Sequence, residues 1–235
     1  MADSRPSPDS GVFLITGASS GIGAATARRA AGENYRLVLA ARSSGALEQL
    51  ADELGGSEHA IAVTCDVTQF TQQEAMVQAA LEAFGRLDVV FANAGFGAKR
   101  GFLEETPELW REMVLTNVLG CAYTIRATIP ALKDSAGHLL LTSSVAGRRA
   151  LSGSLYSATK HAVTAMAEAA RQDLHETGVR VTSVEPGMVD TPFFDDRPAN
   201  ALEPDDIARA VLYAVSQPPR VDVNEILIRP VSQPG

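Results

Sequence analysis

Short apolar runs rich in β-branched residues alternate along the chain with longer, alanine-rich segments of helical period. This alternation predicts parallel strands joined by crossover helices, which is the pattern of a doubly wound α/β fold. The predicted strands are Val12–Thr16, Arg36–Ala41, Ala60–Cys65, Asp88–Ala92, His138–Ser143, Arg180–Glu185 and Asn224–Ile228. The predicted helices are Gly21–Ala31, Gly45–Leu54, Thr71–Phe84, Pro107–Leu132, Tyr156–Glu176 and Pro204–Ser216. We therefore expect a seven-stranded parallel sheet with helices on both faces.

The length and hydrophobic content fit one core. The chain has 235 residues, of which 46% are hydrophobic, and no change of composition divides it. We expect a loose polar tail over residues 1–10 and a single domain over residues 11–235, with a loop or lid at about 190–203. No apolar run approaches the roughly 20 residues of a membrane span, and the first ten residues lack an apolar core. This pattern predicts a cytoplasmic protein.

Charge and cysteine content exclude several functions. The formal net charge is -8 and the isoelectric point is near 5.0, which disfavours nucleic-acid binding. Cys65 and Cys121 lie far apart in the sequence without neighbouring ligand residues, which argues against a disulfide framework or a metal site.

A glycine-rich loop, TGASSGIG over residues 16–23, follows the first predicted strand and leads directly into a helical segment. Glycines at Gly17, Gly21 and Gly23 allow close backbone approach, and the free N–H groups at the start of the helix favour a pyrophosphate. The loop therefore predicts a dinucleotide site. The alternative is a tight turn that needs glycine only for its backbone angles.

The end of the second strand indicates which nicotinamide cofactor is bound. A carboxylate at this position binds ribose hydroxyls and repels a 2′-phosphate, but this chain has Arg42 and Ser43 instead. A guanidinium and a hydroxyl suit a dianionic phosphate, so we expect NADP(H). Alternatively, Arg42 is an exposed loop residue.

Tyr156 and Lys160 lie four residues apart, which places them one above the other on a helix. A nearby cation favours the phenolate and lowers the pKa of a tyrosine toward neutrality, as a catalytic acid/base requires. Alone, such a pair is as easily part of a solvated helix face.

These motifs together resemble the short-chain dehydrogenase/reductase family, and the resemblance runs from about Gly11 to Ile228. TGASSGIG matches the cofactor loop of that family, Asn-Ala-Gly over residues 93–95 follows the fourth strand, and Tyr156 and Lys160 follow a serine-bearing fifth strand. Pro-Gly-Met-Val-Asp-Thr over residues 186–191 completes the series. The resemblance implies a Rossmann-like fold and an oxidoreductase that transfers a hydride between NADP(H) and a carbonyl or secondary alcohol.

The resemblance also implies a set of cofactor-binding residues. They are Gly17, Ser19, Ser20, Gly21, Ile22 and Gly23 in the loop, Arg42, Ser43, Asp66 and Val67 on the adenosine side, Asn93, Ala94 and Gly95 beneath the cofactor, Tyr156 and Lys160 at the ribose, and Pro186, Gly187, Val189 and Thr191 at the carboxamide. Two of these residues and one segment also have a purely structural interpretation. Asp66 could cap a turn, the 93–95 segment could form a stabilising turn, and Thr191 could be a helix N-cap.

The same resemblance assigns the catalytic roles. Tyr156 is the general acid/base, Lys160 lowers its pKa, and Asn117 supports a proton relay toward the lysine, unless this asparagine only bends its helix. A serine must polarise the carbonyl. Spacing from Tyr156 selects Ser143, whereas the turn after the fifth strand selects Ser144, which we favour.

Substrate identity and assembly are less constrained. Phe96, Leu151, Met188, Phe193 and Phe194 are candidates for an apolar pocket, and Arg148 with Arg149 suggests a carboxylated substrate unless both are simply solvent-exposed. Competing functions are a noncatalytic NADP(H)-binding module, an epimerase and a dehydratase. By resemblance, the two long helices imply a homodimer or homotetramer.

Overall fold

Seven parallel strands form the centre of the protein. The computed structural model describes residues 11–193 and 199–233, so the predicted tail and residues 194–198 of the predicted lid, including Phe194, lie outside the described residues. The strands run in the order β3-β2-β1-β4-β5-β6-β7. Their bounds are Val12–Thr16 (β1), Arg36–Ala41 (β2), Ala60–Thr64 (β3), Val89–Ala92 (β4), His138–Thr142 (β5), Arg180–Pro186 (β6) and Glu225–Ile228 (β7). The predicted doubly wound sheet is confirmed.

Helices cover both faces of this sheet. Their bounds are Gly21–Gly32 (α1), Ser44–Glu53 (α2), Phe70–Phe84 (α3), Pro107–Val114 (α4), Cys121–Ser135 (α5), Leu155–Asp173 (α6) and Pro204–Val215 (α7). One core lies between the sheet and α1, α2 and α7, and the other lies between the sheet and α3, α5 and α6. Both faces of the central strands are thus buried, which explains the continuous apolar run of β1. No helix of the described residues is long and apolar enough to cross a membrane.

The order of the strands places the edge where ligands bind. The chain winds outward in one direction from β1 to β3, and then returns to β4 on the other side of β1. Loops that follow β1 and β4 therefore separate at this point and leave a crevice above the carboxyl ends of the strands. The glycine loop follows β1, and the Asn-Ala-Gly segment follows β4.

The predicted helix Pro107–Leu132 is not uniform. It contains a π-helical segment, Leu115–Gly120, between α4 and α5. The Gly120 carbonyl accepts from Gln73 Nε2 (2.9 Å) and from Thr124 Oγ1 (3.0 Å). A Cβ at Gly120 would lie 2.7 Å from Val67 Cγ2. Close packing against the loop after β3, together with these side-chain donors, accommodates the wider turn. The helical periodicity of the sequence could not reveal this segment.

An ion pair fixes the loop that follows β5. Arg148 Nε donates to Glu185 Oε2 at 2.6 Å, Arg148 also pairs with Glu225, and Ser183 Oγ donates to Glu185 Oε1 at 2.9 Å. Glu185 is fully buried on β6. The Arg148 guanidinium is therefore occupied by two carboxylates of the protein itself. The predicted contact between Arg148 and a substrate carboxylate is not supported.

We predict that Arg148→Ala destabilises the protein by about 3 to 5 kcal/mol, because it leaves the Glu185 charge buried without a partner. Urea unfolding at neutral pH measures this loss. Arg28→Ala is the matched control, since it removes an exposed pair with Glu53 and should cost less than about 1 kcal/mol. Equal losses in the two variants would contradict the structural role of Arg148.

Candidate active site

A cavity of about 750 Å³ opens at the carboxyl ends of the strands. Its wall includes every residue predicted for the cofactor and catalytic sites except Gly23 and Asn117. Those two residues lie behind the wall and support it, as described below. The motifs that are scattered over the sequence therefore meet in one place.

The glycine loop forms one end of the cavity by close backbone packing. Gly17 has φ of +66°, and a Cβ there would lie 2.9 Å from Ala94 Cα. A Cβ on Gly23 would lie 2.3 Å from the Gly17 carbonyl oxygen. Ser20 is the N-cap of α1 but makes no side-chain capping hydrogen bond. The loop and the first turn of α1 thus present backbone N–H groups in the arrangement that binds a pyrophosphate.

Asn93 joins the ends of three strands beneath the cavity. Its Nδ2 donates to the Thr16 carbonyl at 3.1 Å, and its Oδ1 accepts from Thr142 Oγ1 at 3.1 Å. Thr16 Oγ1 in turn accepts from the N–H groups of Asn93 (3.0 Å) and Ala94 (3.1 Å). The predicted stabilising turn is therefore present, and Ala94 and Gly95 lie on the cavity wall beside it.

The end of the cavity predicted to hold the adenosine has two exposed side chains and one hydrogen-bonded aspartate. Arg42 and Ser43 are exposed on the wall, and Ser43 begins α2 without a side-chain capping bond. Asp66 Oδ1 accepts from Thr68 N (2.9 Å) and Thr68 Oγ1 (2.8 Å), so the alternative of a turn-stabilising aspartate holds in the structure. Asp66 and Val67 nevertheless line the same cavity.

The two adjacent serines have different partners. Ser143 Oγ bonds to the Lys160 carbonyl at 3.0 Å and to Thr164 Oγ1 at 2.7 Å, which places it against α6. Ser144 Oγ accepts from Ala146 N at 3.1 Å, donates to the Pro186 carbonyl at 3.3 Å, and lines the cavity together with Tyr156. Of the two, Ser144 has the geometry to share a substrate oxygen with the tyrosine.

The environment shifts the pKa of both members of the Tyr156/Lys160 pair. Burial raises the pKa of Tyr156 to about 12, and the neighbouring Ser144 side chain opposes this shift. Burial lowers the pKa of Lys160 to about 8. Lys160 Nζ lies 5.6 Å from the centroid of the Tyr156 ring and donates to the Thr142 carbonyl at 2.7 Å. The sequence predicted a lowered tyrosine pKa, but in this structure the pKa of Tyr156 is raised, and desolvation of the phenol is the largest cause.

Asn117 braces the site from the π-helical segment. It is buried, its Nδ2 donates to the Phe96 carbonyl (2.8 Å) and to Thr159 Oγ1 (3.1 Å), and its Oδ1 accepts from Phe96 N at 3.0 Å. Thr159 Oγ1 donates to the Tyr156 carbonyl at 2.8 Å. Asn117 therefore links the loop after β4 to the helix that carries the tyrosine.

The segment after β6 forms the opposite wall. Gly187 N donates to the Ile228 carbonyl at 2.7 Å, which continues the pairing of β6 with β7. Thr191 Oγ1 accepts from Phe193 N at 3.3 Å, and α7 begins only at Pro204 with Glu203 as its N-cap. The alternative of Thr191 as the N-cap of that helix is therefore wrong.

Sequence reasoning missed several residues of the wall, and two of them make polar contacts there. Gln233 lies on the wall, and its Oε1 accepts from Met188 N at 3.0 Å. Thr142 lines the wall and bonds to Asn93 and Lys160. A single glutamine after the last strand carries no pattern that could have identified it, whereas Thr142 at the end of β5 could have been found from its position.

Four of the five apolar candidates lie on the cavity wall. Phe96, Leu151, Met188 and Phe193 contribute to it, and Arg149 lies there too. Arg149 thus stays compatible with the predicted contact to an acidic substrate, whereas Arg148 does not. The described residues hold no group of three metal-ligating side chains.

Comparisons with known proteins agree with this arrangement. Residues 11–201 match the short chain dehydrogenase family. An uncharacterised oxidoreductase of Staphylococcus saprophyticus is 39% identical over 227 residues, which cover 94% of this chain and 97% of the relative.

Two solved structures are similar over nearly the whole chain. An alcohol dehydrogenase from Thermococcus sibiricus, complexed with 5-hydroxy-NADP, has a TM-score of 0.89 and 35% identity, covering 96% of this chain and 98% of its own. A 3-ketoacyl-(acyl-carrier-protein) reductase from Brucella melitensis, complexed with NADH, has a TM-score of 0.88 and 29% identity, covering 94% and 98%. The family match, the relatives and the shared geometry together identify the chain as a member of the short-chain dehydrogenase family of oxidoreductases.

Proposed function

We propose that this oxidoreductase transfers a hydride between NADP(H) and a carbonyl or secondary alcohol, with Tyr156 as the general acid/base. The observation that carries the proposal is that Ser144, Tyr156 and Lys160 line the same cavity as the glycine loop, with Lys160 Nζ 5.6 Å from the centroid of the Tyr156 ring. The similarity to an alcohol dehydrogenase and a ketoacyl reductase supports the same reaction class.

The cavity fits a dinucleotide. Space at the glycine loop is available only because Gly17 and Gly23 lack side chains, and the first turn of α1 provides anion-binding N–H groups beside it. The nicotinamide supplies and accepts the hydride. At the other end, exposed Arg42 and Ser43 offer a guanidinium and a hydroxyl to a 2′-phosphate, which favours NADP(H) over NAD(H).

The raised pKa of Tyr156 suits the reductive direction. At neutral pH the phenol is protonated, so it has a proton to donate as negative charge develops on the carbonyl oxygen. The Ser144 hydroxyl, which donates to the Pro186 carbonyl in this structure, would turn to donate a second hydrogen bond to the same substrate oxygen. In the oxidative direction the tyrosine must first lose its proton, which its environment disfavours at neutral pH.

Asn117 and Lys160 complete the proposed machinery. The side chain of Asn117 is committed to Phe96 and Thr159, so any part in a proton relay would use its backbone or a bridging water. Lys160 is held near Tyr156 by the Thr142 carbonyl. The relay, a homodimeric or homotetrameric assembly and a cytoplasmic location stay predictions.

We predict that Tyr156→Phe lowers carbonyl-dependent NADPH oxidation by about a hundredfold or more, because the proton donor is lost. Ser144→Ala should cause a comparable loss, and Ser143→Ala a much smaller one. Turnover is measured by nicotinamide absorbance with a panel of aldehydes, ketones and hydroxy acids, and NADPH fluorescence verifies that the variants still bind cofactor.

Tyr213→Phe, which alters an exposed tyrosine on α7, is the control. Wild-type turnover in Tyr156→Phe would refute the mechanism, and turnover without net cofactor consumption would favour an epimerase or dehydratase.

We predict that Arg42→Ala lowers kcat/KM for NADPH by about 10- to 100-fold and changes that for NADH by less than about threefold. The loss corresponds to one charge-assisted contact to the 2′-phosphate. Initial rates with both cofactors give the ratio, and Arg111→Ala, an exposed arginine on α4, is the control. A wild-type preference for NADH would overturn the cofactor assignment.

The lowered pKa of Lys160 predicts a pH-dependent stability. Between the folded value of about 8 and the ordinary value of 10.5, the unfolded chain retains a proton that the folded protein has lost. The free energy of unfolding of the wild type should therefore rise relative to Lys160→Met by up to about 2 kcal/mol between pH 8 and about 9.5. Urea unfolding of both proteins measures it, with Lys133→Met as an exposed control. A difference that does not change with pH would contradict the burial of a destabilised ammonium.

A further inference from the structure

The Phe193 ring lies next to the predicted catalytic tyrosine. It follows the turn after β6, and its edge meets the Tyr156 ring with centroids 5.5 Å apart and an interplanar angle of 65°. This edge-to-face arrangement is the favoured one for two aromatic rings. Phe193 is 41% exposed and lines the cavity.

The far end of the same ring lies against Gly97, in the loop after β4. A Cβ on Gly97 would be 2.4 Å from Phe193 Cζ, 2.8 Å from Cε1 and 3.2 Å from Cε2. Gly97 does not have a positive φ, so its backbone angles do not require glycine. The missing side chain instead leaves a notch that three atoms of the ring occupy.

The ring therefore spans the cavity from the segment after β6 to the loop after β4, beside Tyr156. A carbonyl whose oxygen reaches the Tyr156 hydroxyl must place its substituents in the space that the ring borders. Phe96 and Met188 lie on the same wall and offer apolar contacts to such a substituent.

We propose that Phe193, seated in the Gly97 notch, is a specificity-determining residue that limits the substrate to carbonyls with a small aliphatic substituent. The inference rests on the proposed function and adds the substrate class to it. Packing of the ring against a short alkyl group stabilises that substrate, and the same ring excludes a long chain or an aryl group.

A pair of methyl ketones with the same reacting group, butanone and a straight-chain octanone, tests the proposal. Phe193→Ala should raise the ratio of kcat/KM for the octanone to that for butanone by about tenfold or more, as expected for a pocket enlarged by several methylenes. Phe102→Ala is the matched control, because Phe102 is exposed, packs on Trp110 and does not line the cavity. An unchanged ratio in Phe193→Ala would overturn the proposal and leave the proposed reaction standing.

Gly97→Ala provides an independent test of the notch. Its Cβ cannot coexist with the ring as placed, so it should change the ratio in wild type, but have little further effect once Phe193 is alanine. Gly45→Ala is the control, since a Cβ there has no neighbour within 4 Å. Equal effects of Gly97→Ala in both backgrounds would show that the notch and the ring act separately, against the proposal.

Nitration of Tyr156 reports the position of the Phe193 ring without requiring turnover. Tetranitromethane should nitrate Tyr156 faster in Phe193→Ala and Gly97→Ala than in wild type, because the covering ring is lost or displaced. Peptide mass spectrometry gives the rate, and the exposed Tyr213 is the internal reference. Unchanged nitration refutes the position of the ring, whereas faster nitration in a protein that reduces no carbonyl would refute only the proposed function.

Discussion

The close approach of backbone at the carboxyl ends of β1 and β4 is the constraint on which the site depends. Gly23 meets the Gly17 carbonyl at a distance that permits no side chain, and Gly17 meets Ala94 in the same way. Asn93 then ties the ends of β1, β4 and β5 together with hydrogen bonds to Thr16 and Thr142. A cavity wide enough for a dinucleotide can open here because the strands below it are held at fixed spacing, and the loops above diverge.

The same scaffold determines the protonation states in the site. Thr142 contributes its hydroxyl to Asn93 and its carbonyl to Lys160, so the residue that stabilises the strand ends also holds the lysine. Burial at this position disfavours both the phenolate of Tyr156 and the ammonium of Lys160. Each member of the pair is thus shifted toward its neutral form, and the tyrosine retains the proton that reduction of a carbonyl consumes.

The fold and the cavity wall were largely predictable because they depend on local patterns. Continuous apolar runs predicted every strand end to within one residue. The glycines after β1 predicted which end of the cavity would bind a pyrophosphate. The π-helical segment, the raised pKa of Tyr156 and the commitment of Arg148 to Glu185 were not predictable. Each depends on contacts between residues that are distant in the sequence, or on burial that no spacing of motifs expresses. Gln233 was not predicted either, because its contact with Met188 joins residues that are distant in the sequence.

The residues proposed for proton transfer lie on rigid elements, whereas the residues proposed to select the substrate lie on loops. Tyr156 and Lys160 lie on the long helix α6, whose first turn is capped by Ser154, and Ser144 begins a short turn pinned through Arg148. Phe193 and Gly97 instead belong to loops, and their contact requires two segments to meet across the cavity. Loops accept substitution more readily than strand ends, so the proposed selectivity can change at Phe193 while the proposed proton-transfer geometry persists. A ring seated in a glycine notch makes that selectivity depend on one methyl group.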